Sequence, residues 1–269
     1  MEWFELAAAS AVALCVFWLP GVAVGLLARL RGLLLWATAP AIGVSAVVVG
    51  SLVAPFLGLR WGPAVIVGTT VVFSAATWAI MRIPLLRSSS RDRPATRDVA
   101  LVAVALVGSM IIIGIRVAQL IGQPEAFSQT FDNIFHMNAI RFMLDTGDAS
   151  SLHVGMLTSP PWGQPFYPAA WHALVALVSE ITGTSIPIAI NGVTVVICAV
   201  VWPAGVLLLT RTLFGRNRVI TVAAAVIAGA LPQFPYLLMV YGVLYPYQLG
   251  VALVPVALAL LVLALRDRT

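Results

Sequence analysis

The sequence predicts an all-α, polytopic transmembrane protein of about seven spans, and three observations carry that prediction. Over 269 residues the chain is 61% hydrophobic and 9% charged, whereas about a quarter of an ordinary soluble domain is charged. Its mean hydropathy is +1.03. Apolar runs recur at about 20 residues, the length a helix needs to cross the hydrocarbon core, and a helix satisfies its own backbone polar groups there.

In order, the spans are 6–27, 33–56, 61–81, 99–121, 185–210, 219–235 and 247–265. The first follows an acidic start, Met1-Glu2-Trp3-Phe4-Glu5. A cleaved secretory signal has a basic start and a shorter apolar core, so this run is read as a span. Cys15 and Cys198 lie inside apolar runs with no CxxC pairing and are expected to be buried small hydrophobes.

Charge then orients the spans. The formal net charge is +5 and every one of the 15 basic residues is arginine. In a chain this apolar the arginines report topology and give no sign of nucleic acid binding. Twelve of them fall in the first, third and fifth connections and at the C-terminus: Arg29, Arg31, Arg82, Arg87, Arg91, Arg93, Arg97, Arg211, Arg216, Arg218, Arg266 and Arg268. Cytoplasmic loops carry the excess of Arg, which sets the N-terminus outside and the C-terminus inside. Two regions result, a three-span region at 1–98 with an Arg-rich cytoplasmic loop and a core at 99–269 containing a long outer loop, 122–184.

That outer loop is expected to be functional, because long connections in compact proteins seldom serve only to connect. Its first part, QTFDNIFHMNAIRFMLDTGD at 129–148, has the spacing of an amphipathic helix lying at the membrane surface, closed by the turn signal Thr146-Gly147-Asp148. A second helix is expected over 168–181. With Pro168 in its first turn it is too short to span, and so is interfacial or re-entrant. An irregular, aromatic-rich connector, 159–168, separates the two.

Asp132 and His136 stand at i and i+4 on one helical face, with Asn133 beside them. A carboxylate next to an imidazole serves as a general base, a phosphate contact or half a metal site, or else it is a solvated polar face. Arg141 and Asp145, also i and i+4, read as a surface ion pair of small energy. Arg116 lies inside the fourth span near its outer end; it either snorkels to the headgroups or meets a lipid phosphate or an outer-loop carboxylate. His172, in Tyr167-Pro168-Ala169-Ala170-Trp171-His172, reads as a packing residue or a site residue, and His153 as exposed. No tight spacing marks a metal site. Tyr236, Tyr241, Tyr245, Tyr247, Gln233 and Gln248 crowd the last outer turn, where they anchor span ends or rim a cavity.

A span leaving the membrane into FDNIFHMNAIRFMLDTGD, followed by FYPAAWHALVALV, resembles the first extracytoplasmic loop of the GT-C superfamily, integral-membrane glycosyltransferases that use polyprenyl-phosphate-linked sugars. The likeness covers about 126–177. It implies a bacterial multi-pass plasma-membrane protein that transfers a sugar from a polyprenyl-phosphate donor, among membrane lipids, to an extracytoplasmic hydroxyl. By the same resemblance Asp132 matches the catalytic carboxylate, with His136 orienting it or contacting phosphate. Arg116 would offset charge on the leaving phosphate, with Asn133, Tyr167 and His172 as substrate contacts. The cofactor stays open, a divalent cation such as Mg or Mn being compatible, and so does the oligomeric state. Three spans precede the matching one, where many members begin with it, and the core has only four spans, the matching one included; the resemblance reads this as the N-terminal portion of a larger protein. The rival classes are a transporter or flippase-like protein, against which no pair of broken helices is expected, and a non-catalytic membrane subunit.

Overall fold

The computed structural model describes residues 1–83, 96–158 and 166–266; Arg87, Arg91, Arg93, Arg268 and the connector 159–165 lie outside them. No strand occurs among the described residues. Helices α1 (Glu2–Leu27), α2 (Gly32–Val53), α3 (Pro63–Ile80) and α4 (Thr96–Ile121) come first. The outer loop then supplies α5 (Phe131–Thr146) and α6 (Ala170–Thr182). After it come α7 (Ile186–Val196), α8 (Trp202–Phe214), α9 (Arg218–Ala230), the short α10 (Leu238–Val240) and α11 (Tyr245–Arg266). Among the described residues seven helical stretches are long and apolar enough to cross a membrane, Ile186–Phe214 and Arg218–Val240 being two of them. The protein is therefore a multi-pass helical membrane protein.

Alternation of seven spans brings the eight described arginines of the odd connections and the C-terminus to one end, while Arg60 and Arg141 stand at the other. By the positive-inside rule the first end is the one expected on the cytoplasmic side, and the other is called the outer end.

Small residues bring the backbones together, as expected where lipid removes the hydrophobic drive between helices. A Cβ on Gly21 would strike the Ala39 carbonyl, and one on Gly43 the Phe17 carbonyl, so α1 and α2 lie against each other along their lengths. On its other side α1 meets α7, where a Cβ on Gly192 would come 2.8 Å from that of Ala9. One core thus joins Leu6, Phe17 and Trp61 to Ile113, Leu174, Ile188 and Leu249. The two regions separated at residue 98 share this core.

Four features depart from expectation. Of the two alternatives expected for helix α6, interfacial or re-entrant, the first does not hold: residues 171–179 are all buried, packed among α1, α2, α5, α7 and α11. The Trp61 indole N–H donates to the Ala173 carbonyl at 3.0 Å, tying this helix to the α2–α3 connection. Helix α5 turns Asn133, His136, Ile140 and Met143 inward while Phe131 and Ile134 are exposed, so part of its polar set faces protein and part of its apolar set does not. Cys15 is exposed, although Cys198 is buried. Finally, two neighbouring spans are irregular. Residues Ile197–Val201 between α7 and α8 are π-helical, and after α9 the chain leaves helical geometry at Leu231 and again at Phe234 (φ −137°, ψ 131°). π-segments inside helices are frequent at functional sites.

Candidate functional site

Asp132 sits in the first turn of α5, which follows the extended Thr130. Unpaired amide groups at a helix N-terminus favour negative charge there. The Asn133 side chain donates to the Ser128 carbonyl at 2.8 Å and secures the turn that leads in. At the far end, Gly147 closes the helix in the left-handed region (φ 72°), where Arg60 lies so close that any Cβ would crowd its side chain.

One turn into α5, His136 is 4% exposed and makes two hydrogen bonds. Its Nε2 lies 3.1 Å from the Val243 carbonyl, which only accepts. The ring therefore carries its proton on Nε2, and when neutral leaves Nδ1 bare to accept from His172 Nε2–H at 2.8 Å. His172 on α6 is fully buried, and its Nδ1 has no partner. Burial pushes the His136 imidazole below its ordinary range, against the opposing pull of the Val243 carbonyl and Asp132. Burial and the neighbouring His136 push His172 well below. Burial thus disfavours the charged form of both rings. Aromatic neighbours complete the setting: Trp171 stacks on Tyr245 at 4.7 Å between centroids, and Tyr167 meets the His172 ring edge-on at 5.5 Å.

In front of this pair lies a cavity of about 1090 Å³ at the outer end of the bundle. It is lined by Asp132, His136, Asn138 and Arg141 of α5, by Thr158 and Tyr167 of the outer loop, by Leu244, and by Pro246, Tyr247 and Gly250 at the start of α11. Asp132 is exposed and makes no ion pair among the described residues. Burial and then the charge of Asp132 raise the Tyr167 phenol above its usual range, keeping it a hydrogen-bond donor.

Of the residues expected to share a site, Asp132, His136 and Tyr167 line this cavity, and His172 backs it through His136. Asn133 points into the protein, with its Oδ1 buried and unpartnered. Arg116 does not join them: its guanidinium lies over the Tyr236 ring, 5.7 Å from the centroid. The cation lining the cavity is Arg141. It also forms the expected pair with Asp145, Nε to Oδ2 at 2.9 Å. His153 is half-buried and bonded to Asp148 at 2.6 Å, not free in solvent. Tyrosines of the last outer turn divide: Tyr247 lines the cavity, Tyr245 is buried behind it and Tyr241 is exposed. Missed in the sequence were the Val243 carbonyl, Gly250 and the cavity face of Arg141; only Arg141, three residues after Asn138 on the face of α5, had a periodicity signal.

No three His, Cys, Asp or Glu side chains come together as a metal cage among the described residues. Magnesium is commonly held by one or two carboxylates plus substrate phosphate oxygens; such an ion would be held by Asp132 and would offset phosphate charge.

Fold and site together define a polytopic helical membrane protein with a carboxylate-bearing cavity at one end of its bundle. The chain belongs to DUF6541, a family of unknown function, whose model matches residues 14–269. No curated protein and no solved structure matches it.

Proposed function

We propose that the protein is a glycosyltransferase of the bacterial plasma membrane, taking sugar from a polyprenyl-phosphate donor to an extracytoplasmic hydroxyl. The observation that carries this reading is Asp132: an exposed carboxylate without a counter-ion among the described residues, at the edge of a cavity that Asn138, Arg141 and Thr158 line together with aromatic and apolar residues. Large pockets with few converging polar groups are the default candidates for ligand sites. An unpaired carboxylate within reach of an acceptor hydroxyl acts as a general base.

In this reading Asp132 accepts the acceptor proton as the acceptor oxygen bonds to the sugar C1, and the C1–O bond to phosphate breaks. His136 does not compete for that proton, its ring nitrogens being committed to Val243 and His172. Its role is to hold α5 against the turn that precedes α11. Arg141 stands nine residues beyond Asp132, ~13 Å along the helix, so it serves a second, anionic part of an extended ligand. Arg116 serves α4 and Tyr236 instead.

Asp132→Asn is expected to abolish incorporation of labelled sugar from polyprenyl-phosphate donor in membranes while the protein remains folded. Wild-type turnover in that variant would sink the assignment. A second reading, transport, is favoured by the paired irregular segments at Ile197–Val201 and Pro232–Leu237. They are bridged where Gln248 Nε2 donates to the Pro235 carbonyl at 2.9 Å and to Cys198 Sγ at 3.1 Å. Saturable solute uptake in proteoliposomes without glycosyl transfer would decide for it.

A further inference from the structure

Near the C-terminal end of α5 lies a second cavity of the outer end, of about 320 Å³. Trp61, Met143, Leu144 and Ala176 give it apolar walls, and Arg60 and Glu180 bring it one charge of each sign. Its frame is fixed by bonds between distant segments. The Trp61 backbone N–H donates to the Gly147 carbonyl at 2.7 Å, and the Trp61 indole holds α6 through Ala173.

The two charges stand on different footings. Arg60 donates from Nη1 to the Thr146 carbonyl at 3.2 Å and from Nη2 to the Asp145 carbonyl at 3.4 Å. This is the C-terminal end of α5, where a helix favours a cation. Both acceptors are uncharged, so the guanidinium keeps its charge and has further N–H donors to spend. Glu180 has no such support. It is exposed and makes no ion pair among the described residues, with Arg60 or any other cation. It lies in the last turn of α6, where the helix end opposes negative charge. Its carboxylate is nevertheless seated: a Cβ on Gly62 would stand 3.3 Å from both of its oxygens. Gly62 has extended backbone (φ 167°) that does not call for glycine, so what the missing side chain provides is room for the carboxylate.

We propose that this cavity binds the zwitterionic head of an aminophospholipid, with the ammonium on Glu180 and the phosphate on Arg60. A carboxylate and a guanidinium that share a cavity without pairing suit a ligand that carries both complementary charges, held apart. A primary ammonium donates to the carboxylate and a phosphate accepts from the guanidinium, both charge-assisted bonds. Position points to a lipid as the source. Pro63, which lines the cavity, begins a stretch long and apolar enough to cross the membrane, so the cavity stands at headgroup level. Pro63 and Ala64 are exposed, which leaves acyl chains a way out to the bilayer. The larger cavity does not offer the same pair of charges, because Arg141 is already neutralised by Asp145. The inference stands apart from the proposed transfer reaction.

The test titrates the delipidated full chain in detergent with phosphatidylethanolamine, phosphatidylcholine and phosphatidylglycerol of identical acyl chains, read by native mass spectrometry. The quaternary ammonium of choline donates no hydrogen bond, and glycerol carries no positive charge. Phosphatidylethanolamine is therefore expected to bind about tenfold tighter than either, the worth of one charge-assisted hydrogen bond. Glu180→Gln, exposed and of nearly the same shape, should keep the fold and erase that preference. Arg60→Gln should weaken all three lipids, and Asp132→Asn, at the larger cavity, should leave the preference intact. Equal binding of the three lipids by the wild-type chain, a preference that survives Glu180→Gln, unweakened binding in Arg60→Gln, or a preference lost in Asp132→Asn overturns the site. Equally strong competition by soluble glycerophosphoethanolamine would place the ligand in solution and overturn the lipid assignment.

Discussion

The two ends of the bundle use the same residue types in opposite ways. At the arginine-rich end Asp98 is saturated: Arg211 Nη2 reaches both carboxylate oxygens at 2.7 Å, with Arg216 Nε at 3.9 Å. The Arg211 guanidinium also donates to Thr221. The Asp98 and Arg211 side chains are only 18% and 10% exposed, and the knot fastens α4 to α8 and α9. At the outer end Asp132 is exposed and lacks any such partner among the described residues, and the nearest imidazole is bonded elsewhere. A carboxylate whose charge is neutralised within the protein is structural. One held at a helix N-terminus and left open toward a cavity is available to a ligand. That contrast, more than the number of ionisable groups, separates anchor from site.

The contrast can be broken by substitution. Asp132→Asn should reduce sugar transfer by about 10²–10⁴-fold, the usual contribution of a positioned proton acceptor, with an unchanged melting temperature in detergent. Asp98→Ala should do the converse. Removing one partner of a largely buried ion pair costs about 3–5 kcal/mol, so thermal stability drops while activity per folded molecule holds. If Asp98→Ala abolishes turnover in fully folded protein, the division between the two ends is wrong.

Smaller effects sharpen it. His172→Phe leaves His136 Nδ1 buried and unsatisfied, a loss of about 1–3 kcal/mol, read as a lowered melting temperature. The same pair sets a pH dependence. Both imidazoles have folded values below 6.5, the ordinary value, so below about pH 6.5 the unfolded chain binds more protons than the folded one. Stability therefore rises with pH through that window and is lost as pH falls beneath it. His172→Phe should flatten the loss of melting temperature between pH 7 and pH 5. A slope unchanged in the variant would show that the pair is not its source. Smallest is Arg141→Ala. An exposed pair with Asp145 is worth about 0.2–1 kcal/mol, so stability should barely move, whereas KM for an anionic donor should rise severalfold if the cavity face of Arg141 is used.

Much of the fold was legible because its cause is local. The spans follow from apolar length alone, and each begins and ends within a few residues of its expected bounds. Gly147, in a Thr-Gly-Asp signal, closes α5 in the left-handed conformation only glycine adopts freely. The buried course of α6 was not legible: a 13-residue apolar helix has the same composition whether it lies on lipid or is enclosed by five neighbours. Nor was the direction of α5, where tertiary packing turned Asn133 and His136 inward against an amphipathic pattern.

By itself the sequence determined the apolar solvent and the number of stretches long enough to cross it, because hydrophobic length acts residue by residue. It also singled out Asp132 and His136, whose i and i+4 spacing is a property of one helix. Tertiary structure alone decided what those residues do. The Val243 carbonyl lies 107 residues from His136, and His172 lies 36 away, so the pair exists only once α5, α6 and the turn before α11 have met. The same meeting enclosed the cavity, brought Arg141 to it and left Arg116 on another face. A partner, unlike a propensity, is a relation between distant segments, and no local pattern encodes it.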